Sequence, residues 1–414
     1  VAQDGVTLLN RTQVTDFVQD EQGVSVTLLN LDTQESSTLR VQYVAGCDGG
    51  SSFVRKKIGA KLEGTDVIQR VQSTHIRAPH LVNFLPGKLA WCYYTVNTRR
   101  CGTVFAIDGR STWLVHNHLH PDEPEFDSVD RDQSIRNILG VDQNFEYEII
   151  TKEDWVGKRL LSNHFRDRRV FLAGDAAHLW VPYAGYGMNA GIADATNLAW
   201  LLGAVVNGWA HANILDAYEA ERHPITEQVS HFVMNHAQKM IKARRAVPHN
   251  IEAPDSEGAA ARELVGSEAY DLNVQQFCCE GLNFGYFYEK SPIISHEEEP
   301  APAYTMGSFT PSTLPGCRAP HFWRKDGTSL YDALGNGYNL LRFDGQIDVQ
   351  ELLKMAEGYD MPLNLIDLED ETHKPSAYEH ALVLCRTDQH VVWRGQALPA
   401  SLPEFMSFLR GQPA

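Results

Sequence analysis

Apolar and polar residues alternate in short runs near the start of the chain: Val6-Leu8, Val14-Phe17, Val24-Val26-Leu28 and Leu39-Val41-Tyr43. A period of two buries one face of each run, and the breaks at Asp4-Gly5, Glu21-Gln22-Gly23 and Asp32-Thr33 supply turns, so a small antiparallel meander is predicted. Tyr43-Val44-Ala45-Gly46 then reads as a buried strand ending in Cys47-Asp48-Gly49-Gly50-Ser51-Ser52, with a helix through Arg55 to Gly59 behind it. Alternating runs return at Trp91 to Val96, Thr103 to Ile107 and Thr112 to His116, which predicts a broad sheet with one lined face. Arg169-Val170-Phe171-Leu172-Ala173 predicts a second buried strand, followed by Gly174-Asp175-Ala176-Ala177-His178 and a glycine-rich loop from Pro182 to Gly191. From Ile192 the apolar positions recur at helical spacing until Asn207-Gly208, and Ile214 to His236 predicts more helix, kinked at Pro224. Prolines from Pro292 to Pro320 and the acidic run Glu297 to Glu299 mark a connector. Beyond it, Leu340 to Phe343, a helix near Val349 to Met355, Leu363 to Leu368, and a hairpin of Ala381 to Cys385 with His390 to Trp393 predict a separate C-terminal unit.

A chain of 414 residues divides into two or three domains. Its 43% hydrophobic and 21% charged residues are those of a packed globular protein. The net charge of -17 repels phosphate backbones and anionic lipid, and the basic clusters Arg99-Arg100, Arg166 to Arg169 and Lys242 to Arg245 are short and separated in sequence, so neither nucleic acid nor a membrane is expected as a partner. With no apolar run of membrane-spanning length and no signal-peptide pattern, a cytoplasmic protein is predicted. The seven cysteines include no CxxC, which suits reduced thiols, and Cys278-Cys279 reads as structural. A chain that opens on Val1 in mid-sheet reads as a fragment.

Two turns carry the chemistry. Cys47-Asp48-Gly49-x-x-Ser52-x-x-Arg55 and Gly174-Asp175-Ala176-Ala177-His178, the latter extended by Pro182-x-x-Gly185-x-Gly187-Met188-Asn189-x-Gly191, each follow a buried strand. Taken singly, Asp48-Gly49 is a turn and Asp175 a helix cap. Together and in this order they resemble the Asp-Gly and Gly-Asp motifs of FAD-dependent aromatic-ring hydroxylases, the class A flavoprotein monooxygenases. The tail around Ala319-Pro320-His321 and Asp326 to Tyr331 is similar to the phenol hydroxylase-like subgroup with a thioredoxin-like C-terminal domain.

The resemblance implies an α/β (α+β) fold: an FAD-binding three-layer domain in two parts (1–65 and 161–245), an antiparallel substrate-binding sheet (66–160), a helical connector (246–304) and a thioredoxin-like domain (305–414). It implies that Asp48 lies near the cofactor pyrophosphate with Arg55 holding the loop, and that Pro182 lies over the flavin. An aspartate such as Asp175, after Gly174, can accept hydrogen bonds from flavin ribityl hydroxyls; Gly185 and Gly187 let the backbone approach the ring; and the helix starting near Met188-Asn189 points its positive end at the edge that turns anionic on reduction. The activity implied is reduction of FAD by NAD(P)H, reaction with molecular oxygen to a flavin hydroperoxide, and oxygen transfer to a phenolic or other aromatic ring. Candidate substrate contacts are Trp91, Tyr93, Thr95, Val104, Trp180 and Tyr183, with His116 or His118 as the partner that activates a phenol near neutral pH. A polyketide ring, a non-catalytic remnant, and a metal-dependent hydrolase using His116-x-His118-x-His120 stay open as alternatives, though no metal is expected. The C-terminal module is expected to pack on the main body or to make the subunit contacts of a homodimer. Members of the family begin with a strand–GxGxxG–helix unit, and no GxGxxG occurs here, so weak flavin retention by this chain is expected.

Overall fold

The computed structural model describes residues 3–85 and 87–412. Strands β1 (Thr12–Gln19), β2 (Val24–Asn30) and β3 (Ser36–Val41) form the expected antiparallel meander, with Phe17 opposite Val26 and both buried. The run Val6-Leu8 is not a strand: Val6 and Leu8 are 66% and 71% exposed, and without a neighbouring chain to take up its N–H and C=O groups alternation alone builds no ladder. β4 (Val44–Gly46) leads through the Asp48-Gly49 turn into α1 (Phe53–Lys57). The chain then runs along the 16-residue β5 (Leu62–Arg77).

β6 (Cys92–Thr95), β7 (Gly102–Ala106) and β8 (Thr112–His118) follow, then α2 (Arg131–Leu139), β9 (Glu148–Lys152) and β10 (Trp155–Ser162). After β11 (Arg166–Asp167) and β12 (Val170–Leu172), β13 (His178–Trp180) returns to the edge of the large sheet, whose order is β13-β10-β5-β8-β7-β6 with β9 also paired to β5. β12 instead lies parallel to β4, so Gly46 and Leu172 are register partners and the two motif turns leave neighbouring strand ends. In open parallel sheets such carboxyl-terminal ends are where ligands sit.

Two long helices pack behind the motifs, α3 (Tyr186–Val206) and α4 (Asp216–Arg245). α4 continues through Pro224 to Arg245, well past the expected end. Its buried Ile225, Val229, Val233, Ala237 and Met240 keep helical spacing beyond the proline, and their burial outweighs the roughly 3 kcal/mol that an interior proline costs. α5 (Ser256–Phe277) and α6 (Glu280–Phe284) occupy the connector, and α7 (Leu330–Ala333) opens the C-terminal unit. There β14 (Tyr338–Arg342), α8 (Gln350–Gly358), β15 (Leu363–Asp367), β16 (Leu382–Arg386), β17 (Val391–Gly395) and α9 (Leu402–Leu409) give a sheet ordered β15-β14-β16-β17, with β14 and β15 parallel and β16 and β17 antiparallel. That is the thioredoxin-like arrangement the sequence resemblance implied. One hydrophobic cluster joins Phe17, Leu172, Leu201 and Tyr218 to Tyr338, Leu340 and Leu384, so the C-terminal unit shares a core with the motif-bearing body. Among the described residues no helix is long and apolar enough to cross a membrane.

Candidate active site

The two motif turns are bolted together by one arginine. Arg55, only 5% exposed, donates from Nη1 to the carbonyl of Ala176 at 2.8 Å and from Nη2 to the carbonyl of Gly50 at 2.8 Å. Asp48 is occupied within its own loop: the Val54 amide donates to its Oδ2 at 3.0 Å and the Ser52 hydroxyl to its Oδ1, while Ser52 caps α1 by accepting from the Arg55 amide at 2.9 Å. Gly174 adopts φ 58°, and a methyl group on Gly191 would lie 3.2 Å from the Gly174 Cα, so glycines at both points let the turn and α3 touch.

Beneath that contact lies a carboxylate that sequence reasoning missed. Asp194 is fully buried; its Oδ2 accepts from the Gly174 amide at 3.1 Å and lies 2.7 Å from His178 Nε2, and its Oδ1 accepts from Arg222 Nε at 2.9 Å. Burial pushes its carboxyl pKa up, but Arg222 and His178 outweigh that and hold it below the ordinary value. The available signal was a lone acid on the core-facing stripe Ala190, Asn197, Leu198, Leu201 of α3, a position that demands a cationic partner.

Asp175, by contrast, is exposed. Ala184 and Gly185 turn through φ 58° and 60° into α3, whose N-terminus has no side-chain cap, so its first-turn amides lack a side-chain partner. A side chain on Gly187 would meet only Trp180 Nε1, at 3.8 Å. Trp180 stacks on His178 with ring centroids 4.5 Å apart, and its buried Nε1 has no hydrogen-bond partner. Met188 is 73% exposed, and Asn189 folds back to donate from Nδ2 to the Gly185 carbonyl at 2.8 Å.

On the far side of the Pro182–Gly185 loop is a cavity of about 350 Å³. Strand alternation decides its walls. Thr103 pairs with His116 and Tyr94 with Thr103, which puts Cys92, Tyr94, Thr103, Phe105, His116 and His118 on the cavity face, closed by Trp155, Pro182, Tyr183, Ala184, Gly185 and Gln276. Exposed Trp91 and Phe277 meet edge-on at the rim, centroids 6.4 Å apart. Of the expected substrate contacts, Trp91, Tyr183, His116 and His118 are therefore brought together. Tyr93 and Val104 are not: they have the opposite parity and pack with Trp113 in the core under the sheet. Thr95 lines a neighbouring cavity against α4 and α5, and Trp180 is held against His178. Gln276, on α5, fixes the loop by accepting from the Ala184 amide at 3.2 Å, and its Nε2 donates to the Tyr94 hydroxyl at 3.2 Å; a connector residue of this kind has no local signature.

Burial keeps four wall groups uncharged. It raises the Cys92 thiol to about 11 and the Tyr94 hydroxyl to about 12, lowers His116 to about 4, and with Arg244 nearby pushes His118 well below its ordinary value. The expected near-neutral titration of His116 and His118 is thus corrected: both are neutral imidazoles at pH 7, acceptors or donors but not bases poised there. His116 packs edge-on against Phe105 and Trp155, and His120 lies past the end of β8 with its amide bound to Glu123, so the three histidines do not converge. Among the described residues no three His, Cys, Asp or Glu side chains group as metal ligands.

A stability prediction arises here. His116 and His236 are both lowered to about 4 by burial, so the unfolded chain takes up protons that the folded one refuses between pH 6.5 and 4. Stability is complete above that window and falls as pH drops through it, by on the order of 2 kcal/mol per histidine between pH 7 and 5. Urea unfolding at those pH values, with His116→Gln and His236→Gln each flattening the slope, checks this.

The family described as FAD binding domain matches residues 1–233, and that described as aromatic-ring hydroxylase, C-terminal, matches residues 312–413. The chain belongs to the FAD-dependent aromatic-ring hydroxylases. The hydroxylase is 31% identical to FAD-dependent monooxygenase opdD of Penicillium oxalicum over 94% of this chain and 78% of that protein. It is 26% identical to phenol 2-monooxygenase of Pseudomonas sp. over 96% of this chain and 69% of that protein. Its structure resembles that of the rebeccamycin biosynthetic enzyme RebC with reduced flavin, with a TM-score of 0.84, 29% identity, and coverage of 97% of this chain and 74% of that one. The hydroxylase is an FAD enzyme, and the residues present fit that group: an exposed Asp175, an α3 N-terminus with no side-chain cap, and a Gly187 where a side chain would meet only Trp180 offer polar contacts and close backbone approach.

Proposed function

We propose that this hydroxylase inserts one atom of molecular oxygen into a small phenolic or related aromatic ring held between the large sheet and the Pro182–Gly185 loop. One observation carries the reading: that loop is at once a wall of the uncharged aromatic cavity and the lead-in to the uncapped N-terminus of α3, beside the Gly174-Asp175 turn. FAD, reduced by NAD(P)H, would supply the activated oxygen. In this reading Asp175 accepts from the ribityl hydroxyls, and the amides of Gly187, Met188 and Asn189 face the ring edge that gains negative charge, where a helix N-terminus stabilises it. Asp48 and Arg55 keep the pyrophosphate-side loop in place, and Pro182 and Gly185 line the cavity where the substrate ring would meet the flavin edge. Tyr94, which holds its proton, can donate to a substrate oxygen, and neutral His116 can accept a phenol proton's hydrogen bond. A volume near the lower bound of about 300 Å³ for small-molecule pockets supports a ring system of about one or two fused rings.

The chain has no GxGxxG, so added FAD is expected to bind in titration, read by flavin fluorescence, and to be lost on desalting. Asp175→Ala should weaken that binding about tenfold, the worth of a charge-assisted hydrogen bond. Stoichiometric flavin after desalting would contradict the first expectation, and unchanged affinity the second. The reaction itself is tested by NAD(P)H oxidation in the presence of FAD and a panel of phenols and naphthols, with label from isotopic oxygen followed into product. If the FAD-loaded chain shows no ring-dependent oxidation and no label, the reading fails.

A further inference from the structure

Two of the basic clusters that are separate in sequence, Arg99-Arg100 and Arg244-Arg245, meet in space. A cavity of about 710 Å³ adjoins the aromatic one, and five arginines line it (Arg70, Arg99, Arg100, Arg244 and Arg245) against one acid, Glu123. This is a cationic chamber in a chain of net charge -17. Two of the five are neutralised: Arg100 grips Glu123 through both terminal nitrogens, at 2.9 and 2.6 Å, and Arg99 Nη2 lies 2.7 Å from Glu252. Among the described residues no ion pair engages Arg70, Arg244 or Arg245.

Arg244 is nevertheless held in place. Its Nη2 donates to Oε1 of buried Gln69 at 2.8 Å, and its Nη1 reaches the Tyr183 hydroxyl at 3.5 Å. Tyr183 belongs to the loop that walls the aromatic cavity, and His118 lines both chambers. His118 is only 8% exposed; its Nε2 contacts the Thr103 hydroxyl at 3.3 Å while its Nδ1 has no partner. A positioned guanidinium without a carboxylate, next to an unpartnered buried imidazole nitrogen, is an arrangement in which a ligand oxygen anion completes the hydrogen bonding.

We infer that the Arg70–Arg244–Arg245 chamber is an anion subsite, and that the aromatic substrate carries a carboxylate which Arg244 binds while its ring enters the adjoining cavity past His118. The inference rests on the proposed aromatic site and adds the acidic group to the substrate. The division of labour follows from the walls: uncharged for the ring, cationic for the acid. The same chemistry would suit the phosphates of a nicotinamide nucleotide, so the test separates the two sources.

Naphthoate, naphthamide and NADPH are titrated against the full chain by tryptophan fluorescence and calorimetry. Naphthoate should bind more tightly than naphthamide, and the difference should shrink with added salt. Arg244→Gln should weaken naphthoate about 10- to 30-fold and naphthamide by less than about twofold, with Arg244→Lys recovering part of the loss and the melting temperature showing that both variants fold. Equal binding of the two ring compounds, untouched by Arg244→Gln, overturns the anion subsite and leaves the aromatic cavity standing. Failure of both to bind overturns the two together. Loss of NADPH affinity in Arg244→Gln with the naphthoate preference intact assigns the chamber to nucleotide phosphates and overturns the substrate carboxylate.

Discussion

Arg386→Ala should destabilise the folded chain by about 3–5 kcal/mol, the cost of breaking a buried ion pair from one side. Arg386 and Glu221 are both fully buried, bonded at 2.6 and 2.9 Å between the two nitrogens and two oxygens. Glu221 is filled on every side, since Ser291 Oγ donates to Oε1 at 2.6 Å and Asn197 Nδ2 to Oε2 at 2.6 Å. Arg386 also holds Asp388 at 2.6 Å and lies over the rings of Trp200 and Tyr288, at 5.0 and 5.3 Å from their centroids. Alanine would strand two buried carboxylates. Burial alone raises the Asp388 carboxyl; Arg386 reverses that and holds it well below the ordinary value, so the pair's contribution is present at neutral pH and lost as pH falls through the acid range. Urea unfolding at pH 7 is the measurement, and the effect should shrink in acid. Since Glu221 sits on α4 and Arg386 on β16, the loss should appear as undocking of the thioredoxin-like unit, seen as a second, earlier transition. Arg386→Met combined with Glu221→Leu and Asp388→Asn, which removes all three charges, should recover part of the loss. A single-variant cost below about 1 kcal/mol would mean that the pair is not desolvated as described.

Cys92→Trp is expected to abolish ring binding, with at least about a 100-fold loss of naphthol affinity. Cys92 lies on β6 at the sheet edge and points into the cavity, so a larger side chain can be accepted there without displacing an inner strand. An indole there would take up a large part of the about 350 Å³ and cover the face on which a fused ring system must lie. FAD affinity should be unchanged, because the motif turns lie beyond the Pro182–Gly185 loop. Cys92→Ala should retain naphthol binding, since the thiol is kept protonated by burial and brings no charge to the cavity. Undiminished naphthol binding in Cys92→Trp would place the ring elsewhere.

Much of the fold was legible because it is written in local chemistry. Period-two alternation located β1, β2, β7 and β8; the apolar runs before Asp48 and Asp175 located the paired strands β4 and β12; and Asn207-Gly208 marked where α3 stops. The motif residues themselves set which strand ends carry glycine and a carboxylate. Where a local pattern lacked its partner, as at Val6-Leu8, or ran against burial, as at Pro224, tertiary packing prevailed.

The site was less legible, because its walls come from distant segments. Alternation separates Tyr93 and Val104 from Tyr94 and Thr103, but only the folded sheet tells which set meets the Pro182–Gly185 loop and which meets Trp113. Gln276, Asp194 and Arg222 carry no motif; each acquires its role from a hydrogen bond that spans many residues. The clearest case is charge. Sequence alone establishes a strongly acidic chain with scattered basic pairs, whereas the tertiary structure gathers Arg99-Arg100 and Arg244-Arg245 around one chamber. Local propensity and hydrophobic period act over a few residues and are readable in order along the chain, but electrostatic potential and cavity shape depend on distance in space, which only the packed fold sets.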